Sequence, residues 1–320
     1  MELLNVENLK MYYKTIRGDV KAVDDVSFKL NAKDALGIAG ESGCGKTSVA
    51  LAILRLLPTN GRIVGGDITL AGESILKMSE RELRQKIRWK RISMIFQGAM
   101  NALHPTYTIG HQIVEAILTH EDVNKKEALE RAEKLIELVG MEANRVKRYP
   151  HELSGGMKQR SVTAMALACN PDLIIADEPT TALDVIVAAQ VLNAMKDLRS
   201  RLNLSMIVIS HDLSMIAELC NKIAIMYAGK IVEFGDIASI YKEAVHPYTD
   251  KLIAAFPSVL GPKTELSSIH GFPPDLLTPP SGCRFHPRCQ HAKQICKTSE
   301  PKLVETSRQG HYVACHLYGR

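Results

Sequence analysis

The chain contains no uninterrupted apolar run of about 18 residues, the length an α-helix needs to cross a bilayer. Its opening residues, Met1-Glu-Leu-Leu-Asn-Val-Glu-Asn8, carry acids early and lack an apolar segment followed by a small-residue cleavage site. They are therefore not read as a secretory signal, and a cytosolic chain that meets a membrane only through a partner is expected. No run of lysine and arginine of the kind that marks a nucleic-acid tail occurs, and a formal net charge of +5 over 320 residues reads as an ordinary solvated surface. Internal repeats and low-complexity segments are also missing. What is there is ordinary globular material, with 46% hydrophobic and 23% charged residues, and length enough for one large domain and a smaller one.

Short apolar runs alternate with helical patterns. Leu3 to Leu9 and Ala22 to Leu30 read as strands, followed by the apolar run Ala35 to Ala39. A Gly-rich segment follows at once, then a helical run from Ser48 to Leu57 that ends at Pro58. Residues from about 108 to 168 are mainly helical in pattern, including Lys125 to Val139. Leu173 to Ala176 reads as a buried parallel strand, and Ser205 to Ser210 and Lys222 to Tyr227 as two more. The alternation predicts an α/β core with a parallel sheet. From about residue 257 Pro257, Pro262, Pro273, Pro274, Pro279, Pro280 and Pro287 break the chain into a loop-rich appendage.

The Gly-rich segment Gly40-Glu-Ser-Gly-Cys-Gly-Lys-Thr47 has the spacing of a phosphate-binding loop, between a predicted strand and a predicted helix. Glycines let successive N–H groups turn inward as an anion nest, and the helix that follows aims its positive end at the same point. The loop offers Gly40, Ser42, Gly43, Cys44, Gly45, Lys46, Thr47 and Ser48 to a nucleotide, with Lys46 for the β- and γ-phosphates and Thr47 for Mg2+. Asp177 and Glu178 end the apolar strand, the end at which ligands bind in an open parallel sheet. Asp177 suits Mg2+ through water, and Glu178 suits the general base that polarises an attacking water. Ser154, Gly155 and Gly156 begin a further helical pattern, Met157 to Ala168, and form a second anion site. A single ATP does not need both.

With Leu153-Ser-Gly-Gly-Met-Lys-Gln159 the chain resembles the ATP-binding cassette (ABC) family over roughly residues 1 to 240. The resemblance implies a P-loop NTPase (RecA-like) core with an antiparallel β subdomain and a helical subdomain at about 98–168. It also implies two cassettes paired head to tail, each signature segment reaching the γ-phosphate held by the other. Gln97 then matches the glutamine that senses the metal and the transmembrane partner, Asp184 the D-loop aspartate, and His211 the switch histidine on the γ-phosphate. Tyr13 is the expected platform for adenine, with Tyr12 the second choice, because strand alternation exposes one of the two.

His246-Pro-Tyr-Thr249 and Pro279-Pro-Ser-Gly-Cys-Arg-Phe-His-Pro-Arg-Cys289 resemble the tail of dipeptide and oligopeptide importer ATPases, over roughly 241 to 320. That resemblance implies an ATPase, peripheral on the cytoplasmic face of the membrane, driving peptide import. Its partners would be a second, different ATPase chain, two transmembrane permeases and, indirectly, an extracytoplasmic solute-binding protein. Nickel or oligosaccharide uptake is the alternative within the family. Outside it stands a nucleic-acid machine, which would need a long coiled coil, zinc fingers or a second cassette in the chain; nucleic acid is not an expected partner.

Of the 7 cysteines, Cys44, Cys169 and Cys220 are scattered, whereas Cys283, Cys289, Cys296 and Cys315 share the tail. Clustered cysteines in a reducing compartment bind metal or stay free more often than they pair. Four thiolates here suit a [4Fe–4S] cluster or zinc, and the missing tight C-x2–4-C pairs favour iron–sulfur. His286, His291, His311 and His316 leave mixed ligation by zinc open, and four free cysteines are the third reading. The importer resemblance also implies such a cluster, acting as a staple for a segment without a core of its own.

Overall fold

The computed structural model describes residues 1–255 and 269–318; Pro257 and Pro262 lie outside them. Among the described residues there are twelve strands, β1 (Glu2–Thr15), β2 (Gly18–Asn31), β3 (Ala35–Ala39), β4 (Gly61–Leu70), β5 (Glu73–Ser74), β6 (Ile92–Ile95), β7 (Leu173–Asp177), β8 (Ser205–Ser210), β9 (Lys222–Tyr227), β10 (Lys230–Asp236), β11 (Val304–Glu305) and β12 (Tyr312–Val313). The helices are α1 (Lys46–Leu54), the single turn α2 (Glu80–Glu82), α3 (Ile109–His120), α4 (Lys125–Leu138), α5 (Gly155–Ala166), α6 (Val185–Leu202), α7 (Leu213–Leu219), α8 (Ile237–Lys242), α9 (Pro247–Ala254) and α10 (Gln294–Thr298). They fall into two compact units, the first made of Met1, Asn31–Ala35 and Lys77–Val208, the second of Glu2–Leu30, Leu36–Leu76 and Ile209–Arg320.

In the first unit β8, β7 and β6 are neighbours in that order, with β6 and β7 parallel in the register Ile92↔Leu173 to Ile95↔Ala176. Every residue of β7 is buried, which is why its sequence is a continuous apolar run rather than an alternation. The helices start where short polar side chains can cap them. The Thr108 side chain accepts from His111 N–H in α3, and Asn124 accepts from Glu127 N–H in α4. Along α4 only Ala128, Ala132, Leu135 and Ile136 are buried, one stripe at helical spacing.

In the second unit an antiparallel sheet runs in the order β2-β1-β4-β5. Pairing with β4 carries β1 past the expected Leu9 to Thr15, since Met11, Tyr12 and Tyr13 face Ile63, Arg62 and Gly61. A second layer runs β11-β12-β10-β9-β3, parallel between β3 and β9 and antiparallel from β9 to β12. α1 begins at Lys46, because the Gly-rich loop delivers the chain directly into its first turn. It stops at Leu54 through Arg55 in the left-handed conformation, ahead of Pro58, which disfavours helix in the residue before it.

The tail is loop-rich, as expected, and it is held by the rest of its unit. Val313 and Tyr312 pair with Glu233 and Phe234 of β10. Phe285, 1% exposed, meets the rings of Tyr227 at 5.1 Å and Tyr248 at 5.4 Å. Buried Arg284 bonds the Asp24 carboxylate and the Ala228 carbonyl. Burial alone would raise Asp24, but the Tyr12 hydroxyl and the charges of Lys230 and Arg284 outweigh it and hold the carboxyl below its ordinary value.

Candidate functional site

The loop from Gly40 to Thr47 joins buried β3 to α1. Gly40 and Gly45 sit at φ 148° and 105°, where a Cβ would come within 2.1 Å of the Met226 carbonyl oxygen and 2.0 Å of that of Ala22. Only glycine fits either place. No side chain caps the start of α1, so its first-turn amides stay available to an anion. Lys46 is 7% exposed, and its Nζ donates to the carbonyl oxygens of Gly40 (2.7 Å) and Glu41 (3.0 Å) and lies 3.8 Å from Cys44 Sγ. Among the described residues no carboxylate pairs with that ammonium. Ser42, Gly43 and Thr47 are exposed, while burial of Cys44 keeps its thiol neutral.

The Tyr13 hydroxyl stands 3.0 Å from Ser48 Oγ in the first turn of α1, so Tyr13 lies beside the loop. Tyr12 points elsewhere and donates to Asp24 Oδ1 at 2.7 Å. His211 is exposed at the end of β8. All of these belong to the second unit.

The first unit carries the remaining candidates. Asp177 is 1% exposed at the end of β7, and Glu178 follows in a left-handed conformation at φ 49°, its Oε2 3.3 Å from the Thr181 hydroxyl that donates to it. Gln97 is exposed beyond β6. Ser154 caps α5 by accepting from Met157 N–H, and Ser154 and Gly155 are exposed. Gly156 is buried because the start of α6 presses on it: a Cβ there would lie 2.4 Å from Val187 Cγ1. That approach brings the signature segment next to Asp184, which caps α6 by accepting from Val187 N–H at 2.9 Å. Val185 and Ile186 beside it are 85% and 73% exposed, an apolar pair turned to solvent.

The four tail cysteines line one small cavity with His246, Phe285, His286, His291 and His316. The expected [4Fe–4S] cluster, and zinc as its alternative, are nevertheless overturned. Among the described residues no group of three or more His, Cys, Asp or Glu side chains is arranged to hold a metal ion, and every cysteine is a free thiol. Burial pushes Cys283 up to about 11 and raises Cys289 and Cys315. Cys283 N–H instead bonds the Cys296 carbonyl. The staple inferred for the tail consists of its aromatic and ionic contacts with the body.

His246 is 1% exposed in this region, and its Nδ1 accepts from Tyr248 N–H at 3.0 Å. Burial lowers its pKa to about 3, so protonation favours the unfolded chain. Stability at this site is then complete above the ordinary histidine value and lost as pH falls through it. About 2 kcal/mol should disappear between pH 7 and pH 5. His246→Asn keeps an acceptor for Tyr248 N–H and should remove this part of the pH dependence. Denaturant melts of both proteins at the two pH values check it, and equal losses would refute it.

Several residues of this region carried no role in the sequence reading: Glu41 inside the loop, Tyr248, Arg284 and Arg288. Arg288 donates to both carboxylate oxygens of Glu41, at 2.7 and 3.0 Å, and Glu41 N–H donates to the Tyr248 hydroxyl at 3.0 Å. An acid within an anion-binding loop and an arginine in the tail are visible as letters, but their pairing across 247 positions is not.

Comparison with known proteins identifies the family. The ABC transporter family profile matches residues 23–181, and that of the oligopeptide/dipeptide transporter C-terminal region matches 232–296. The oligopeptide transport ATP-binding protein OppD of Salmonella typhimurium is 45% identical over 315 residues, covering 98% of this chain and 93% of that one. The dipeptide transport ATP-binding protein DppD of Bacillus subtilis is 42% identical over 319 residues, covering 99% and 97%. Among solved structures, a dimeric ATP-binding cassette in a post-hydrolysis state with ADP and Pi superposes with a TM-score of 0.65, at 24% identity, over 73% of this chain and 99% of that chain. At that identity the likeness concerns the fold.

Proposed function

The chain belongs to the ABC transporter family, among the ATP-binding subunits of oligopeptide and dipeptide transporters, and from that premise we propose that it hydrolyses ATP to drive an importer for dipeptides or oligopeptides. The observation that carries the ATPase reading is Lys46, a buried ammonium held in a glycine nest by carbonyls. A buried cation without a counter-charge is costly, and a triphosphate supplies the missing charge. Tyr13 stacks the adenine. Glu178 takes the proton of the attacking water, His211 contacts the γ-phosphate, and Gln97 reports the state of the site to the membrane partner. Thr47 in the second unit, and Asp177 and Gln97 in the first, each offer an oxygen donor of the hard kind that Mg2+ takes, and the ion would neutralise charge developing on the phosphates.

Residues 1–240 form the cassette and 241–320 the importer-type extension. Ser154, Gly155 and Gly156 serve the nucleotide of a second cassette, with Asp184 at the same seam. The exposed start of α5 and the exposed pair Val185 and Ile186 support a partner on that face. The second cassette is a different ATPase chain. Two permeases hold the pair at the cytoplasmic face of the membrane, supplied by an extracytoplasmic binding protein; no helix among the described residues is long and apolar enough to cross a membrane itself. In vesicles carrying the assembled transporter, ATP turnover should rise several-fold when binding protein loaded with a short peptide is added. Stimulation by a nickel- or oligosaccharide-loaded binding protein instead would overturn the cargo.

A further inference from the structure

The phosphate-binding loop carries an acid of its own. Glu41 follows Gly40 directly, in a loop whose amides and lysine are arranged for an anion. A carboxylate at that position repels a triphosphate unless something cancels it. The tail supplies the cancelling charge. The Arg288 side chain is 6% exposed and forms a two-pronged pair with Glu41. Its remaining donors go to the carbonyls of Ile269, His270 and Gly271 and to the Tyr227 hydroxyl, so the guanidinium is fixed from several sides. The Tyr248 hydroxyl, on a fully buried ring, accepts from Glu41 N–H and turns that amide toward the tail. The Glu41 carbonyl, on the same residue, is one of the oxygens that hold Lys46.

We propose that Arg288 is a positioning residue for nucleotide binding: it neutralises and anchors Glu41, so that the phosphate-binding loop accepts ATP only when the C-terminal segment is docked on it. The tail thereby belongs to the nucleotide site as its outer layer. This assignment rests on the ATPase reading above. It extends that reading, because it makes ATP affinity depend on a segment remote in sequence from every nucleotide motif. The arginine acts through Glu41, which makes the effect separable from a general loss of fold.

The test is a double-mutant cycle on the full-length chain, read as the dissociation constant for MgATP, with the melting temperature of the unliganded protein alongside. Arg288→Ala should weaken ATP about tenfold, because it leaves the Glu41 charge bare. Glu41→Gln should bind ATP as well as wild type or better. In the Glu41→Gln background Arg288→Ala should then change affinity by less than about twofold. An equal loss in both backgrounds, or no loss in either, would overturn the proposal and leave Arg288 a purely structural anchor. If Arg288→Ala does not fold, Arg288→Gln, which keeps donors for the loop carbonyls and removes the charge, is carried through the same cycle. Wild-type protein that fails to bind ATP at all would sink the ATPase reading, whereas wild-type binding with no coupling sinks only this one.

Discussion

Glu178→Gln is expected to bind ATP with near wild-type affinity and to hydrolyse it about a thousandfold more slowly, the loss that follows removal of a general base. The substitution is nearly isosteric. The amide oxygen still accepts from the Thr181 hydroxyl, so the turn after β7 should survive. What disappears is the ability to take a proton from water. β7 is buried throughout, Asp177 ends it, and Glu178 follows at φ 49°. With hydrolysis blocked, ATP should hold the chain and its partner cassette together, since nothing reopens the sandwich. Single-turnover phosphate release and gel filtration with ATP check both halves. Turnover within about twofold of wild type would remove Glu178 from the role of base.

Lys46→Met should act in opposite directions on ligand binding and on the unliganded fold. ATP affinity should fall by about a hundredfold, because a charge-assisted contact to phosphate is lost in a site shielded from water. The unliganded chain should melt at the same temperature or slightly higher. In the wild type Lys46 is 7% exposed and its ammonium is satisfied by carbonyls, which leaves its charge uncompensated. Methionine fills a similar volume without that cost. Wild type should also be stabilised by saturating MgATP, as any ligand that binds only the folded state does, and the variant should lose that shift. Scanning calorimetry with and without MgATP reads both effects. A large drop in the melting temperature of unliganded Lys46→Met would mean that Lys46 serves the fold rather than the ligand.

The sequence by itself determined the elements whose signal is local. Ala35–Ala39, Ser205–Ser210 and Lys222–Tyr227 are short apolar runs bounded by turn residues, and the strands coincide with them. α4 follows its apolar stripe to within a residue of the expected end at Val139. The phosphate-binding loop is equally legible, since Gly40 and Gly45 are required by backbone crowding that no other residue survives. Strand ends were less so: β1 continues to Thr15 between two neighbours, β4 as far as Tyr13 and β2 across the hairpin turn, and alternation alone marks no stopping point. The tail was decided by tertiary structure almost entirely. Four cysteines at irregular spacing suggested a metal staple, yet spacing does not say where thiols point, and among the described residues they are not arranged to hold a metal ion. What holds the tail is Phe285 between Tyr227 and Tyr248, Arg284 on Asp24 and Arg288 on Glu41. Those partners lie as much as 260 residues apart in the chain, and attraction between charges or rings depends on distance in space, which a sequence does not carry.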